Sequence, residues 1–133
     1  MKIVLDTNVL VSALLSRSGP PAQILTLVLN GVLQVVVDSR IIAEYRAVLA
    51  RPEFGFPPRE VEAVLTFLGM PAHRVDPPPR TESLPDESDR PFLEVARGAA
   101  DVLVTGNVRH FPISARGGLA VLTPRELVAQ LTR

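Results

Sequence analysis

The sequence predicts an α/β fold, a three-layer α/β/α sandwich around a parallel sheet of about four to five strands. Three observations predict it. Short, unbroken apolar runs recur at Lys2–Leu5 (KIVL), Gln34–Val37 (QVVV), Val102–Val104 (VLV) and Leu119–Leu122 (LAVL). Strands without polar alternation belong to sheets buried on both faces. Helix-length stretches lie between these runs, and right-handed crossovers then place helices on both sides of the sheet.

In chain order, the first strand ends at Asp6, and Asn8 to Ser16 follows as a helix closed by Ser18-Gly19-Pro20-Pro21. Ala22 to Asn30 is a second helix, with Gly31 where a left-handed C-terminal residue is wanted. The second strand ends at Asp38. Ser39 is read as the cap of a helix running to about Arg51 and stopped by Pro52. Pro58 opens the next helix, which Gly69 closes after Leu68. Pro71 to Pro85 is proline-rich and polar, a semi-rigid connection. Asp86 starts a helix reaching about Arg97, and Gly98 ends it. The third strand leads into Thr105-Gly106-Asn107, and the fourth follows the Gly117-Gly118 turn. Thr123-Pro124-Arg125-Glu126 is a capping box with proline at the first helical position, and it opens the last helix.

With 133 residues, 47% of them hydrophobic, the chain can bury a core without disulfides. The absence of cysteine excludes disulfides, thiol catalysis and zinc–thiolate sites. His73 and His110 are the only imidazoles, too few for a histidine-based metal site. Metal chemistry would therefore rest on oxygen ligands and on hard cations such as Mg²⁺ or Mn²⁺. Basic and acidic residues balance at 14 each, so no overall positive field marks a nucleic-acid partner. Lys2 is the only lysine; the other basic residues are arginines, which suit bidentate phosphate contacts. Asp6 and Asn8 interrupt the N-terminal apolar stretch, which lacks the pattern of a secretory signal. The run from Ile24 to Val37 is broken by Asn30, Gly31 and Gln34 and is too short for a membrane span. A cytoplasmic protein is expected.

Ligand sites in open parallel sheets form beyond the carboxyl ends of the strands. Asp6, Asp38 and Asn107 fall there on the strand reading, and Glu44 and Asp89 can approach from helix starts. Carboxylates that converge on one edge repel one another unless a multivalent cation sits among them. Each residue also has a plainer reading. Asp6 is a good helix cap, and Asp86 caps a helix whose first turn holds Glu87 and Asp89, where acids suit the dipole. Glu44 alone is a solvated helix residue, and Asp38 is the turn residue before the Ser39 cap. The cap is preferred for Asp86 and the site for Asp89. Spacing alone settles none of these.

Asp6-Thr7-Asn8, directly after a hydrophobic first strand, resembles the opening motif of PIN domains. Glu44 lies on the helix after the second strand, where that family carries an acid. Asp89-Arg90-Pro91-Phe92-Leu93-Glu94-Val95-Ala96 is similar to the third acidic motif, which heads a helix with an apolar residue at +3 and alanine at +7. Val104-Thr105-Gly106-Asn107 resembles the fourth, with Asn107 where aspartate is usual. Arg51-Pro52-Glu53-Phe54 and His110-Phe111 resemble the subgroup counted among the toxins of toxin–antitoxin pairs. The likeness covers essentially the whole chain, with four motifs in order.

The resemblance implies one PIN-like nuclease domain over residues 1–133. It implies an Mg²⁺- or Mn²⁺-dependent endoribonuclease that hydrolyses RNA phosphodiester bonds, commonly a homodimer and, as a toxin, silenced by a small antitoxin. Asp6, Glu44 and Asp89 would be metal ligands, with Asn107 completing the catalytic set. Thr7, Asn8 and Thr105 would hydrogen-bond the ligating carboxylates, and Arg46, Arg90 and Arg109 would form the substrate track. His110 receives no acid–base role. With one charge fewer, Asn107 predicts weak binding of a second metal or a one-metal site. The alternative is a catalytically weakened PIN-fold protein that binds RNA or a protein partner. An aspartyl phosphatase or receiver reading, with Asp6 or Asp38 as nucleophile, lacks the second aspartate two residues after Asp6 and a suitably placed lysine. A dinucleotide enzyme lacks its glycine fingerprint.

Overall fold

The computed structural model describes residues 1–133. Its strands are β1 (Lys2–Leu5), β2 (Gln34–Val35), β3 (Val102–Val104) and β4 (Ala120–Leu122). Seven α-helices alternate with them: α1 (Thr7–Leu15), α2 (Pro20–Leu29), α3 (Ser39–Leu49), α4 (Pro58–Leu68), α5 (Arg90–Ala99), α6 (Ile113–Arg116) and α7 (Pro124–Leu131). The sheet runs β2-β1-β3-β4 and every pairing is parallel, with Ile3 opposite both Val35 and Val102, and Leu5 opposite Val104. This is the three-layer α/β/α architecture with a parallel sheet that the apolar strands predict.

The strand order fixes where a site can form. From β1 the chain moves outward to β2, then crosses back over β1 to reach β3 and β4. Right-handed connections in opposite directions put the intervening helices on opposite faces. The direction reverses between β1 and β3, and at such a switch point the carboxyl ends of the two strands open into a crevice. β1 and β3 are buried along almost their whole length, since only Lys2 reaches solvent. A cluster of 32 buried apolar residues joins the sheet to both helical layers. Tyr45 on α3 and Phe92 on α5 meet in it, ring centroids 6.2 Å apart, and the Tyr45 hydroxyl donates to the Leu5 carbonyl at the end of β1.

Several local expectations need correction. Asp38, rather than Ser39, caps α3: its carboxylate accepts from the backbone N–H groups of Arg40 and Ile41. Both residue types cap well, but Asp38 also gains the Arg40 guanidinium at 2.7 Å. β2 stops at Val35 because Val37 turns to a different partner, donating to the His73 carbonyl and accepting from the Val75 N–H. The proline-rich 71–85 segment thus supplies the edge contact that the end of the QVVV run makes. That segment is tied down at Arg80, whose N–H donates to the buried Glu94 carboxylate of α5, and at Leu84, which is buried. The helix predicted from Asp86 begins instead as a 3₁₀ turn, Glu87–Asp89, and becomes α-helical at Arg90. No helix is long and apolar enough to cross a membrane.

Candidate active site

Asp6 follows β1 at the switch point. Its carboxylate caps α1 through the Thr7 N–H at 2.8 Å and also accepts from the Thr105 hydroxyl, just past β3, at 2.8 Å. Cap and site readings therefore describe one side chain. Thr105 is wholly buried, and its hydroxyl accepts in turn from the Asn107 N–H. Asn8 bridges the same two loops, donating weakly to Asp6 at 3.4 Å and accepting from the Gly106 N–H at 3.0 Å. The two strand ends are thus stitched together by the DTN and TGN segments.

Glu44 comes from the middle of α3, half-buried, and accepts from the Thr7 hydroxyl. Burial first, then the neighbouring Asp6 and Glu44 carboxylates, hold the Tyr45 phenol well above its usual range. One buried phenol thus senses both acids, which brings Glu44 to the same end of the sheet as Asp6.

Asp89 arrives from the third direction. Because Asp86 caps the 3₁₀ turn through the Ser88 N–H, the Asp89 carboxylate is left free of any capping bond at the start of α5. It bonds instead to His110 Nδ1 at 2.9 Å. Phe92 and Ala96, at +3 and +7, are buried and fix the helix against the sheet. Burial, and then the proximity of Asp6, pushes the Asp89 carboxyl up to about 6, with His110 pulling the other way. Burial raises Asp6 too, against the hydrogen bonds from Thr105 and Thr7. Two carboxyl groups are therefore held where their charges are poorly compensated, and Asp6 adds to the burden on Asp89.

Asp6, Thr7, Asn8, Asp86, Asp89 and His110 line one cleft of about 400 Å³, whereas Glu44, tied to Thr7, lies outside its lining. Carboxylate and imidazole atoms of Asp86, Asp89 and His110 lie within 4.8 Å of one another, close enough to share an ion. Asp6 and Glu44 stand outside that tightest group. The donor set suits a divalent cation: oxygens for Mg²⁺, and an imidazole that Mn²⁺ accepts more readily. Poorly compensated buried carboxylates are also the electrostatic environment that such a cation relieves.

The other predicted residues are dispersed. The Asn107 side chain is exposed and does not line the cleft; its contribution is the backbone bond to Thr105. Arg46 pairs with Glu62 on the surface. Arg90 is committed to Glu87 and to the carbonyls of Arg80 and Glu82, bracing the proline-rich segment. Arg109 is exposed and also lies outside the cleft lining. Asp38 is occupied by its own helix and by Arg40.

Sequence reasoning gave His110 and Arg51, both of which line the cleft, no place in the site, and kept Asp86 as a cap only. A signal existed for two of them. Asp86 precedes Asp89 by three residues, the spacing that puts two acids on one face of a helical turn. His110 lies in the short turn after the third strand, beyond the same sheet edge. Arg51 stood out only in the likeness of Arg51-Pro52-Glu53-Phe54 to the toxin subgroup, and its place at the cleft depends on where α3 ends.

A family model described as PIN domain matches residues 2–109, most of the chain and all of the cleft's acidic residues. No curated protein and no solved structure matches the chain.

Proposed function

The chain belongs to the PIN-domain family, and on that premise we propose that it is a divalent-metal-dependent endoribonuclease that hydrolyses RNA phosphodiester bonds. PIN domains are nucleases that bind nucleic acid. The observation that carries the finer reading is the pair of buried carboxyl groups, Asp6 and Asp89, held in one cleft at the switch point with raised pKa values.

In this reading Asp6 and Asp89 would hold the cation, with Asp86 and His110 extending the ligand set and Glu44 adding negative charge at the same end of the sheet. Bound Mg²⁺ or Mn²⁺ would supply Lewis-acid polarisation of the scissile phosphate and an activated water for in-line attack. The chain's own contribution is positional. Thr105 and the Thr7 N–H fix the rotamer of Asp6, and His110 fixes that of Asp89. Thr7 restrains Glu44, and Asn8 holds the loops together. Asn107 contributes through its backbone N–H, which bonds the Thr105 hydroxyl that in turn holds Asp6.

The residues 51–54 and 110–111 support the more specific role of toxin in a toxin–antitoxin pair, acting as a homodimer and neutralised by a small antitoxin. If that role is right, expression of the chain should arrest growth and coexpression of a small protein encoded beside it should relieve the arrest; growth that expression leaves unaffected speaks against it.

The catalytic proposal is tested on purified protein. RNA should be cleaved in Mg²⁺ or Mn²⁺, a chelator should stop cleavage, and Asp6→Asn should slow it by at least ~10²-fold, the scale of losing a key electrostatic group. Equal activity in wild-type and Asp6→Asn preparations would sink the proposal. The alternative, a PIN-fold protein that only binds RNA, predicts RNA binding that needs no divalent ion.

A further inference from the structure

Arg51 and Phe54 share the cleft with the acidic residues, yet metal binding uses neither. They occupy the turn that leaves α3: Arg51 precedes the 3₁₀ helix Pro52–Phe54, and Gly55 follows at φ 63°. That left-handed glycine reverses the chain, so that Phe56 comes against Phe54 with ring centroids 5.4 Å apart and planes 17° from parallel. The two rings differ in their surroundings. Phe56 packs against the hydrophobic core, whereas Phe54 does not and is half-buried at the wall of the cleft. A ring supported from behind by an anchored aromatic, beside a cleft of carboxylates, is wasted as core packing. Arg51 is exposed and forms no ion pair with any of the chain's acids, unlike Arg40, Arg46, Arg80, Arg90 and Arg97.

We propose that Phe54 is a stacking platform for an unpaired base, with Arg51 contacting the adjoining phosphate, so that the cleft takes single-stranded RNA with a nucleotide splayed out beside the scissile bond. The proposal rests on the nuclease reading for its substrate. Aromatic faces bind bases of any sequence, provided that they are unstacked from their neighbours. A duplex cannot offer such a base without losing its own stacking. Arg51 then provides the one positive charge in the cleft that does not depend on protonation, and its fork suits a phosphate. The rigid Pro52 turn holds the two groups in fixed relation, which limits the entropy lost on binding.

The protein contains no tryptophan, so Phe54→Trp installs a single reporter whose fluorescence a stacked base quenches. In the Phe54→Trp, Asp6→Asn double variant, which should hold RNA with little turnover, a short single-stranded RNA should quench the signal saturably and its duplex should not. Arg51→Ala should reduce the salt dependence of binding by about one phosphate contact. Phe54→Leu keeps an apolar contact with Phe56 but cannot stack; it should raise KM roughly 10-fold with kcat little changed, the scale of one stacked base. Absence of quenching while anisotropy reports bound RNA, or equal quenching by duplex, overturns the platform and leaves the nuclease reading intact. Quenching together with cleavage that Asp6→Asn leaves unchanged removes the nuclease reading but not the platform. Absence of any RNA binding removes both.

Discussion

Two pairs of acids are buried to nearly the same degree, yet they live in different electrostatic surroundings. Glu94 and Asp38 are 4% and 9% exposed; Asp6 and Asp89 are 5% and 8%. Glu94 accepts from the Arg40 guanidinium and the Arg80 N–H, both at 2.7 Å, and Asp38 accepts from Arg40 and from two helix N–H groups. Positive charge is brought to them by the chain itself. Asp6 has only neutral donors, and Asp89 has one histidine that is charged only when protonated. Burial alone therefore does not mark a functional acid. What separates the two pairs is whether the fold supplies the counter-charge, and where it does not, an ion from solution can.

The sharpest way to break this comparison is to neutralise one member of each pair. Asp6→Asn should abolish most RNA cleavage while leaving Tm unchanged or raised, because the amide still caps α1 and a poorly compensated charge is gone. Glu94→Gln should do the reverse, lowering stability by about 2 kcal/mol through lost charge-assisted hydrogen bonds, with cleavage of the folded fraction intact. Thermal melts and cleavage assays on both variants decide the matter; a stable Glu94→Gln and an unfolded Asp6→Asn would invert the assignment.

The effect of pH sharpens the same contrast. The Asp89 carboxyl has its folded value raised from 3.8 to about 6, so it favours the fold when protonated. Its contribution is complete below 3.8 and is lost as pH rises through about 6; Asp6, also raised, acts in the same direction. A divalent cation needs both acids ionised, so the rise in Tm on adding Mn²⁺ should grow between about pH 5 and 7. A metal-induced shift that is flat over this range contradicts the assignment. A smaller effect is expected of His110→Gln, which should weaken Mn²⁺ binding roughly 10-fold by releasing Asp89; unchanged affinity would show that His110 is a bystander.

The legibility of these features in the sequence followed how local their causes are. β1, β3, α4 and the capping box of α7 lie where apolar runs, Pro58, Gly69 and Thr123-Pro124-Arg125-Glu126 put them. β2 came out shorter than its QVVV run because the competing partner, residues 73–75, is remote in sequence. Asp6 and Asp89 were legible as residues at strand and helix ends. The fate of the arginines was not: Arg46 meets Glu62 from the next helix, and Arg90 reaches back to the carbonyls of Arg80 and Glu82. Likewise Arg40 reaches Glu94 across 54 residues of sequence, so nothing local tells Glu94 from a metal ligand. Counter-charge is a tertiary property, and that is why the two acid pairs look alike until they fold.

The central claim is that Asp6 and Asp89, unlike the arginine-paired acids, hold a divalent cation. Titrating Mn²⁺ into the protein, read by the spectroscopic signal of the free ion, tests it most directly. The account predicts a binding site in the wild type and in Glu94→Gln that Asp6→Asn and Asp89→Asn each severely weaken. Equal Mn²⁺ binding in all four proteins, or loss in Glu94→Gln alone, would contradict it.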